Sequence, residues 1–396
     1  MAITRSLVLR TVAFVATVFP RRSPAAERVT ESAVLAMTRC GGGFCVPYVV
    51  EGQALRAVVD TGSPFLLVDG ACKTGRWGCF ADERDSVSLG DTSSEGFAGM
   101  DVQVDWRRGD WSIGGDGLGS GFRFRPVTFG VVRSAQGSGG TQAIYLGLVK
   151  DRQPRVRPTL LEQTDIRTLQ FDFPRQLLTL SRGARLSARE DAIPLVDLRP
   201  LGALVSSYAF RVHSLFVNGE RVALERPCVA IVDTGTTGFV ISDTLYDSDE
   251  LPMPGASVRD VRVDGLTERG AIFTLAASRR RPKNPEAEDF PLIVTPVTIP
   301  WFESGYKYSE FAVRRARAAK QDAAKQARGG ATGAEVPEAE EAVSKDAAAI
   351  ARDSLGSSRG LMSSRGPPHV LLLGLAFLQE RRLIIDADER RMVLDP

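Results

Sequence analysis

One short pattern occurs twice in this sequence. Residues 57–68 read AVVDTGSPFLLV, and residues 230–241 read AIVDTGTTGFVI. In both copies an alanine and two β-branched apolar residues stand directly before Asp-Thr-Gly. An apolar run of this kind predicts a buried strand, and Asp-Thr-Gly predicts a tight turn at its end. The chain is therefore expected to build the same strand and loop at two places far apart in sequence.

The repeat extends beyond these two segments. In the first half, YLGL at 145–148 is followed by LQFDFPRQLLTL at 169–180. In the second half, LLGL at 372–375 is followed by LIIDADERRMVL at 383–394. Each half thus contains the same three features in the same order. Asp-Thr-Gly comes first, an apolar pair before glycine comes second, and an apolar run ending in Asp, followed by a turn and a closing strand, comes third. A pattern kept twice in the same order predicts an internal duplication.

Length and composition agree with two similar units. The 396 residues exceed one ordinary core, which predicts two domains or one domain of two lobes. The 38 glycines and 22 prolines separate short apolar runs, which is typical of a mostly β protein. The net charge of +2 offers no strong attraction for nucleic acid, so no nucleic-acid partner is expected. No segment of the mature chain reaches roughly 20 apolar residues, so no stable membrane insertion is expected.

The composition predicts the following regions. Residues 1–26 have a basic start, an apolar middle and small residues at the end, which indicates a signal or transit peptide. The N-terminal lobe is expected at 27–190 and the C-terminal lobe at 191–396, each with one Asp-Thr-Gly. Residues from about 309 to 368 have few large apolar side chains, which predicts a solvated insertion, part helical and part disordered. A basic tether for a partner is the alternative interpretation of this insertion.

Local signals predict three further features. PTLLEQT at 158–164 predicts a short helix, and VNGE at 217–220 predicts a β-hairpin. The first strand is expected near Pro47.

The five cysteines are compatible with disulfides. Cys72 and Cys79 enclose a short glycine-containing stretch, which suits a small disulfide loop, and Cys40 and Cys45 can pair in the same way. Cys228 is then the unpaired cysteine. Five reduced, half-buried thiols are the alternative.

The histidine content excludes several kinds of chemistry. The sequence has two histidines, His213 and His369, and neither has a neighbour at metal-ligand spacing. Both are interpreted as surface or packing residues. No metal and no cofactor are expected.

The two Asp-Thr-Gly loops suit a pair of carboxylates. If the halves face each other across a pseudo-twofold axis, Asp60 and Asp233 come together, and the glycines allow the close approach. Two carboxylates in contact share one proton, so one acts as a general base and the other as a general acid. The residues expected to support the pair are Thr61, Gly62, Ser63, Thr234, Gly235 and Thr236.

With these motifs the chain resembles the pepsin-like aspartic peptidase family. The resemblance rests on VVDTGS at 58–63, on IVDTGTT at 231–237 and on the closing LLLGLAFLQERRLIIDADERRMVL. It covers roughly residues 45–308 and 369–396. The family implies a mostly β, bilobal acid protease fold with pseudo-twofold related lobes and a cleft between them.

The resemblance also implies a function. Asp60 and Asp233 would be the catalytic pair of an aspartic endopeptidase, a hydrolase that uses an activated water to cleave a polypeptide substrate. Both carboxylates come from one chain, so a monomer is expected. Cys72 and Cys79 stand where many members of the family have a small disulfide loop after the first catalytic motif.

The family's flap is matched with two departures. Residues 87–104 resemble the hairpin that covers the cleft, and Leu89, Gly90 and Asp91 are the expected flap and substrate-binding residues. Leu89 stands where the family has a tyrosine, and Leu67 stands where it has a tryptophan. Loss of both aromatic residues predicts reduced or altered turnover. The alternative function is therefore a catalytically weak or inactive peptide-binding or inhibitor-like protein.

The N-terminal segment bears on localisation. A signal peptide implies the secretory pathway, with an extracellular or vacuolar destination, whereas a transit peptide implies a plastid or mitochondrion. Only about twenty residues separate the expected cleavage point from the expected first strand, so no long inhibitory prosegment is expected.

Overall fold

The structure of the chain is a computed structural model. It describes residues 32–73, 75–81, 83–97, 100–114, 121–137, 144–154, 156–183, 186, 191–251, 258–279, 290–297, 361 and 366–395. The expected targeting segment at 1–26 lies outside the described residues. So does the expected insertion at 309–368, apart from Leu361 and residues 366–368.

The described chain is mostly β-strand, as the sequence predicts. The strands of the first half are β1 (Ser32–Ala36), β2 (Thr38–Cys40), β3 (Gly43–Val50), β4 (Gln53–Asp60), β5 (Leu67–Asp69), β6 (Val87–Phe97), β7 (Met100–Ile113), β8 (Phe122–Gly137), β9 (Tyr145–Gly147), β10 (Thr168–Asp172) and β11 (Leu177–Ser181). Those of the second half are β12 (Ile193–Pro194), β13 (Ala209–Val217), β14 (Glu220–Arg221), β15 (Cys228–Val232), β16 (Phe239–Ser242), β17 (Asp260–Leu266), β18 (Ile272–Ser278), β19 (Val294–Val297), β20 (His369–Leu373), β21 (Arg382–Asp386) and β22 (Arg391–Asp395). The short helices are α1 (Asp243–Tyr246) and α2 (Leu375–Leu378), with 3-10 turns at Leu161–Gln163 and Arg199–Leu201.

Two of the three sheets repeat one local arrangement. The first sheet has the order β5-β8-β7-β3-β4-β9, with β2 beside β3 and β6 beside β7. The second sheet has the order β18-β17-β13-β15-β20-β16-β19, with β14 beside β13. In the first, β4 leads to the first Asp-Thr-Gly and pairs in parallel with β9, which contains the apolar-apolar-Gly motif. In the second, β15 leads to the second Asp-Thr-Gly and pairs in parallel with β20 in the same way.

The third sheet, called the shared sheet below, takes strands from both halves in the order β1-β11-β10-β21-β22-β12. Its centre is the antiparallel pair β10 and β21, which joins the hairpin of the first half to that of the second. The residue before the closing strand is left-handed in both hairpins, at Gln176 (φ 53°) and Arg390 (φ 52°). The carboxylates of Asp172 and Asp386 accept a backbone hydrogen bond at the same point of each turn. The duplication is therefore visible at single-residue detail.

A continuous apolar core connects these sheets. One cluster of buried side chains contains residues from β1 through β22, including Phe44 of the first half and Phe290 of the second, whose ring centroids lie 5.3 Å apart. The two halves therefore share buried apolar contacts as well as a sheet, and apolar burial stabilises their association.

The local predictions have mixed outcomes. Val217 pairs with Glu220 around left-handed Asn218 and Gly219, which confirms the hairpin. The helix predicted at 158–164 is only one 3-10 turn, because Thr164 is already extended. The first strand among the described residues begins at Ser32, so the expectation near Pro47 is wrong. β1 has only five residues, which is too short for a clear apolar pattern. Its place at the edge of the shared sheet is set by pairing with β11, which lies far along the chain.

The cysteine prediction is confirmed. Cys40 bonds to Cys45 and Cys72 bonds to Cys79, with Cα separations of 5.9 and 4.9 Å, while Cys228 is free and buried. Disulfides of this kind form and persist in an oxidising, secreted-type environment. Within the described ranges, no helix is long and apolar enough to cross a membrane.

Candidate active site

The two repeated aspartates lie at the ends of equivalent buried strands. Asp60 is the last residue of β4, and Asp233 directly follows β15, all five residues of which are buried. Asp60 is 5% exposed and Asp233 is 7% exposed. Parallel partners on one side, β9 and β20, fix where each strand ends. The apolar run before each Asp-Thr-Gly thus places a carboxylate inside the protein.

The threonines of the two loops bind each other reciprocally. The backbone N–H of Thr61 donates to Oγ1 of Thr234 at 3.1 Å, and the N–H of Thr234 donates to Oγ1 of Thr61 at 3.0 Å. Each hydroxyl then donates to a carbonyl of the opposite strand, Thr61 to Val232 at 2.9 Å and Thr234 to Val59 at 2.8 Å. Four buried hydrogen bonds therefore fix the loops relative to each other, and breaking one would leave a buried polar group unsatisfied.

Each carboxylate accepts the same two hydrogen bonds from its own loop. Oδ1 of Asp60 accepts from the N–H of Gly62 at 2.7 Å, and Oδ2 accepts from the hydroxyl of Ser63 at 2.5 Å. In the same way, Oδ1 of Asp233 accepts from the N–H of Gly235 at 2.9 Å, and Oδ2 accepts from the hydroxyl of Thr236 at 2.7 Å. The carboxylates are thus oriented by matching donors before any ligand binds.

The loops approach so closely that only glycine fits after each threonine. A Cβ on Gly62 would lie 2.8 Å from the carboxylate atoms of Asp233. A Cβ on Gly235 would lie 2.4 Å from Oδ1 of Asp60. Each carboxylate therefore lies against the backbone of the opposite loop, and the two acidic groups face one another.

Electrostatics favours a proton on this pair. Burial raises the pKa of Asp60 well above its ordinary value, and the negative charge of Asp233 and a hydrogen bond to it raise the pKa further. The bonds from Ser63 and Gly62 favour the ionised form and oppose part of this rise. The pair therefore retains a proton at pH values where an exposed aspartate has lost it. A carboxylic acid beside a carboxylate provides one proton donor and one proton acceptor at the same place.

The glycines of the apolar-apolar-Gly motifs pack closely against the backbone of the two loops. A Cβ on Gly147 would lie 2.4 Å from the backbone nitrogen of Phe65, and one on Gly374 would lie 2.3 Å from the carbonyl oxygen of Thr236. The backbone N–H of Leu148 donates to the carbonyl of Asp60 at 2.8 Å. Glycine at these positions therefore allows each motif to contact the backbone of the segment that follows Asp-Thr-Gly.

Tyr145 is a residue near the pair to which sequence reasoning assigns no role. It is the first residue of β9, and the parallel register aligns Val58 with Tyr145 and Asp60 with Gly147. Burial raises the pKa of Tyr145, and the charges of Asp60 and Asp233 raise it further. The signal for it lies in the repeat itself, because YLGL has a tyrosine where LLGL has Leu372.

The predicted flap residues lie in a bulge of β6. The hairpin of β6 and β7 forms, but its register shifts between Ser88 and Thr92, so Leu89, Gly90 and Asp91 form an irregular segment within the strand. Leu89 is partly buried and packs against the main core. Asp91 contacts a guanidinium nitrogen of the buried Arg157 at 3.3 Å. Leu67, the other departure, is fully buried in β5.

The two histidines of the sequence lie outside this site. His213 is exposed, whereas His369 is fully buried and binds Glu250 at 3.0 Å. Burial lowers the pKa of His369, although the charge of Glu250 opposes this. In the part of the chain that the structure describes, no group of three or more His, Cys, Asp or Glu side chains is placed to hold a metal ion.

Comparison with models of known protein families finds no match, and comparison with curated proteins finds none either.

Proposed function

We propose that this chain is an aspartic endopeptidase with a bilobal, pepsin-like acid protease fold. The observation that carries the proposal is the pair Asp60 and Asp233, each held against the opposite loop and joined through reciprocal threonine bonds. The duplicated parallel strand pairs and the shared sheet support a pseudo-twofold relation between the lobes. The lobes would then be 27–190 and 191–396.

The chemistry of this site is hydrolysis of an amide by an activated water. The ionised carboxylate of the pair takes a proton from the water as its oxygen bonds to the substrate carbonyl carbon. The protonated carboxyl gives its proton to the carbonyl oxygen, which produces a neutral tetrahedral diol. The carboxyl that took the water proton then gives a proton to the amide nitrogen, and the other carboxylate takes a proton from a diol hydroxyl as the C–N bond breaks. The pair thereby returns to its shared-proton state. The hydroxyls of Ser63 and Thr236 keep both carboxylates oriented throughout.

The substrate would be a polypeptide in extended form. Extended peptides bind by pairing their backbone with exposed strand edges. Leu89 in the β6 bulge would provide an apolar surface for a substrate side chain. The two disulfides favour action in the secretory pathway, outside the cell or in a vacuole. A plastid or mitochondrion is the alternative if the N-terminal segment is a transit peptide.

Cleavage of a peptide library across acidic to neutral pH tests this function. The full chain should release peptides, pepstatin should inhibit it, and Asp60→Asn and Asp233→Asn should each abolish turnover. Asp264→Asn is the matched control, because Asp264 is also buried but accepts hydrogen bonds from Ser214 and Thr274. This control should keep its activity. Activity that survives in both Asn variants would rule out the paired-carboxylate reaction.

One observation favours a second function. Leu89 brings no phenol to the β6 bulge, and Leu67 brings no indole to β5, which suits a protein that binds peptides without cleaving them. Binding of pepstatin to a wild-type chain that cleaves no peptide in the library would establish this alternative.

A further inference from the structure

We propose that Tyr145 is a catalytic residue that donates a hydrogen bond from its hydroxyl to the substrate oxygen held between the two carboxylates. The inference rests on the proposed function and assigns a new group to the same site. Tyr145 has no counterpart in the second repeat, where Leu372 occupies its place. The site would therefore have one neutral donor, on the side of the first half only.

The position of Tyr145 follows from the strand pairing. In the parallel ladder of β4 and β9, Val58 lies opposite Tyr145 and Asp60 lies opposite Gly147. Side chains two residues apart on a strand point to the same face, so Val58 and Asp60 share a face. Tyr145 is aligned with Val58 and projects on that side of the sheet. Because Gly147 has no side chain, nothing from β9 itself stands between Tyr145 and Asp60.

The surroundings of Tyr145 suit a donor that keeps its proton. The side chain is partly buried and packs against the main apolar core, so its ring is held in place. The register of β4 and β9 puts Tyr145 on the face of the sheet that carries Asp60. The negative charges of Asp60 and Asp233 act on its phenol and raise its pKa further than burial alone. Both burial and these charges oppose ionisation of the phenol. The group therefore remains an O–H donor throughout the pH range in which the pair works.

A donor at this place would act on the transition state. Negative charge develops on the carbonyl oxygen as water attacks, and a fixed donor aimed at that oxygen stabilises the charge without reorganising. No proton transfer from Tyr145 is required, because the protonated carboxyl supplies the proton. The phenol would fill a polar role that Leu89 in the β6 bulge cannot perform.

The test compares Tyr145→Phe with wild type on one cleaved peptide. Loss of the hydroxyl should lower kcat about 100- to 1,000-fold, as for other oxyanion donors, and leave KM within about two-fold. Tyr246→Phe is the matched control, since it removes a phenol hydroxyl from the partly buried Tyr246 of α1. That control should match wild type. The affinity of pepstatin for Tyr145→Phe should fall in proportion to the loss of kcat.

Tyr145→Leu covers the case in which the Phe variant does not fold, since leucine occupies the equivalent place in the second repeat. It should show the same fall in kcat. Full activity in Tyr145→Phe, with Asp60→Asn inactive, would overturn the role of Tyr145 and leave the proposed function standing. A change in KM alone would assign Tyr145 to substrate packing and also overturn the inference. A wild-type chain without activity would overturn both.

Discussion

Gly62 and Gly235 are the residues that let the two carboxylates face each other. A Cβ at either position would lie within 2.8 Å of the opposite carboxylate. Gly62→Ala should therefore push Asp233 away from its place and lower kcat/KM about 100-fold, because a displacement of about 1 Å can cost that much. The measurement is kcat/KM on a cleaved peptide, with the melting temperature recorded in parallel.

Gly183→Ala provides the matched control for this prediction. A Cβ on Gly183 would meet no atom within 4 Å, and the backbone there is not left-handed. The control should keep wild-type kcat/KM. Equal activity in Gly62→Ala and Gly183→Ala would mean that the carboxylates do not need their close approach.

The raised pKa of Asp60 makes the stability of the fold depend on pH. Because the folded chain holds a proton that the unfolded chain has released, stability falls as pH rises from the ordinary value of 3.8 to the raised value. Asp60→Asn carries no charge and escapes this loss. The variant should therefore melt at a higher temperature than wild type at neutral pH, and the difference should shrink as pH falls below the ordinary value. Calorimetry at a series of pH values measures it, and a difference that stays constant with pH would contradict the assignment.

At the residue scale the sequence reveals some contributors to the site and conceals others. The repeated Asp-Thr-Gly is sufficient to select Asp60 and Asp233, because equivalent strands in a duplicated fold end at equivalent places. Tyr145 is not selected, because its position beside the pair depends on a parallel register with β4 that no local pattern encodes. The left-handed residues Gln176 and Arg390 are equally unmarked, since neither is a typical residue for that conformation.

At the element scale, the buried guanidinium of Arg157 contacts the bulge of β6. The guanidinium of Arg157 is 6% exposed, lies 4.3 Å from the ring centroid of Trp106, and contacts Asp91 at 3.3 Å. The indole N–H of Trp106 donates to Ser93 at 2.7 Å, and Phe65 packs edge-on against the same ring. This cluster joins the bulge to the segment after the first aspartate.

Removing the cation should loosen the bulge without unfolding the chain. Arg157→Met keeps an apolar stem over the indole but loses the ion pair and the cation–π contact. Because Asp91 is about half exposed, the pair is screened, and the total loss is on the order of 1 kcal/mol. Backbone amides of residues 88–92 should then exchange hydrogen about five-fold faster, which hydrogen exchange with mass spectrometry measures.

Arg152→Met is the control for this variant. Arg152 forms an ion pair with Glu162 at 2.7 Å, and neither residue contacts the bulge through that pair. Exchange in β6 should stay at the wild-type rate in Arg152→Met. An unchanged rate in Arg157→Met as well would show that the bulge is held by its own strand pairing.

Elements with strong local patterns are predictable here, and those defined by tertiary contacts are not. β4 ends in Ala-Val-Val-Asp and β15 is apolar throughout, and the hairpin at 217–220 has the Asn-Gly turn that its left-handed residues require. The bulge of β6 is not predictable in this way, because glycine and aspartate usually mark turns and not an irregularity inside a strand. Its place inside a longer strand is set by pairing with β7 and by Arg157, which lies far along the chain.

At the scale of the whole molecule, the shared sheet explains how a duplication yields one site. β10 and β21 pair antiparallel at its centre, and the reciprocal bonds of Thr61 and Thr234 lie between the same two halves. An antiparallel pair of equivalent strands requires a local twofold relation, and the threonine bonds follow the same relation. Each half contributes one carboxylate, so neither half completes the site alone.

The carboxylate pair should therefore assemble within one chain. The specific activity of the full chain should stay constant on dilution from micromolar to nanomolar concentration, with a solution mass of one chain. An equimolar mixture of Asp60→Asn and Asp233→Asn should remain inactive, because each chain has only one of the two carboxylates. If two chains exchanged halves, random pairing of the variants would rebuild one complete site in each mixed dimer and recover about a quarter of wild-type activity. Recovery of that size, lost on dilution, would replace the intramolecular site with one formed between chains.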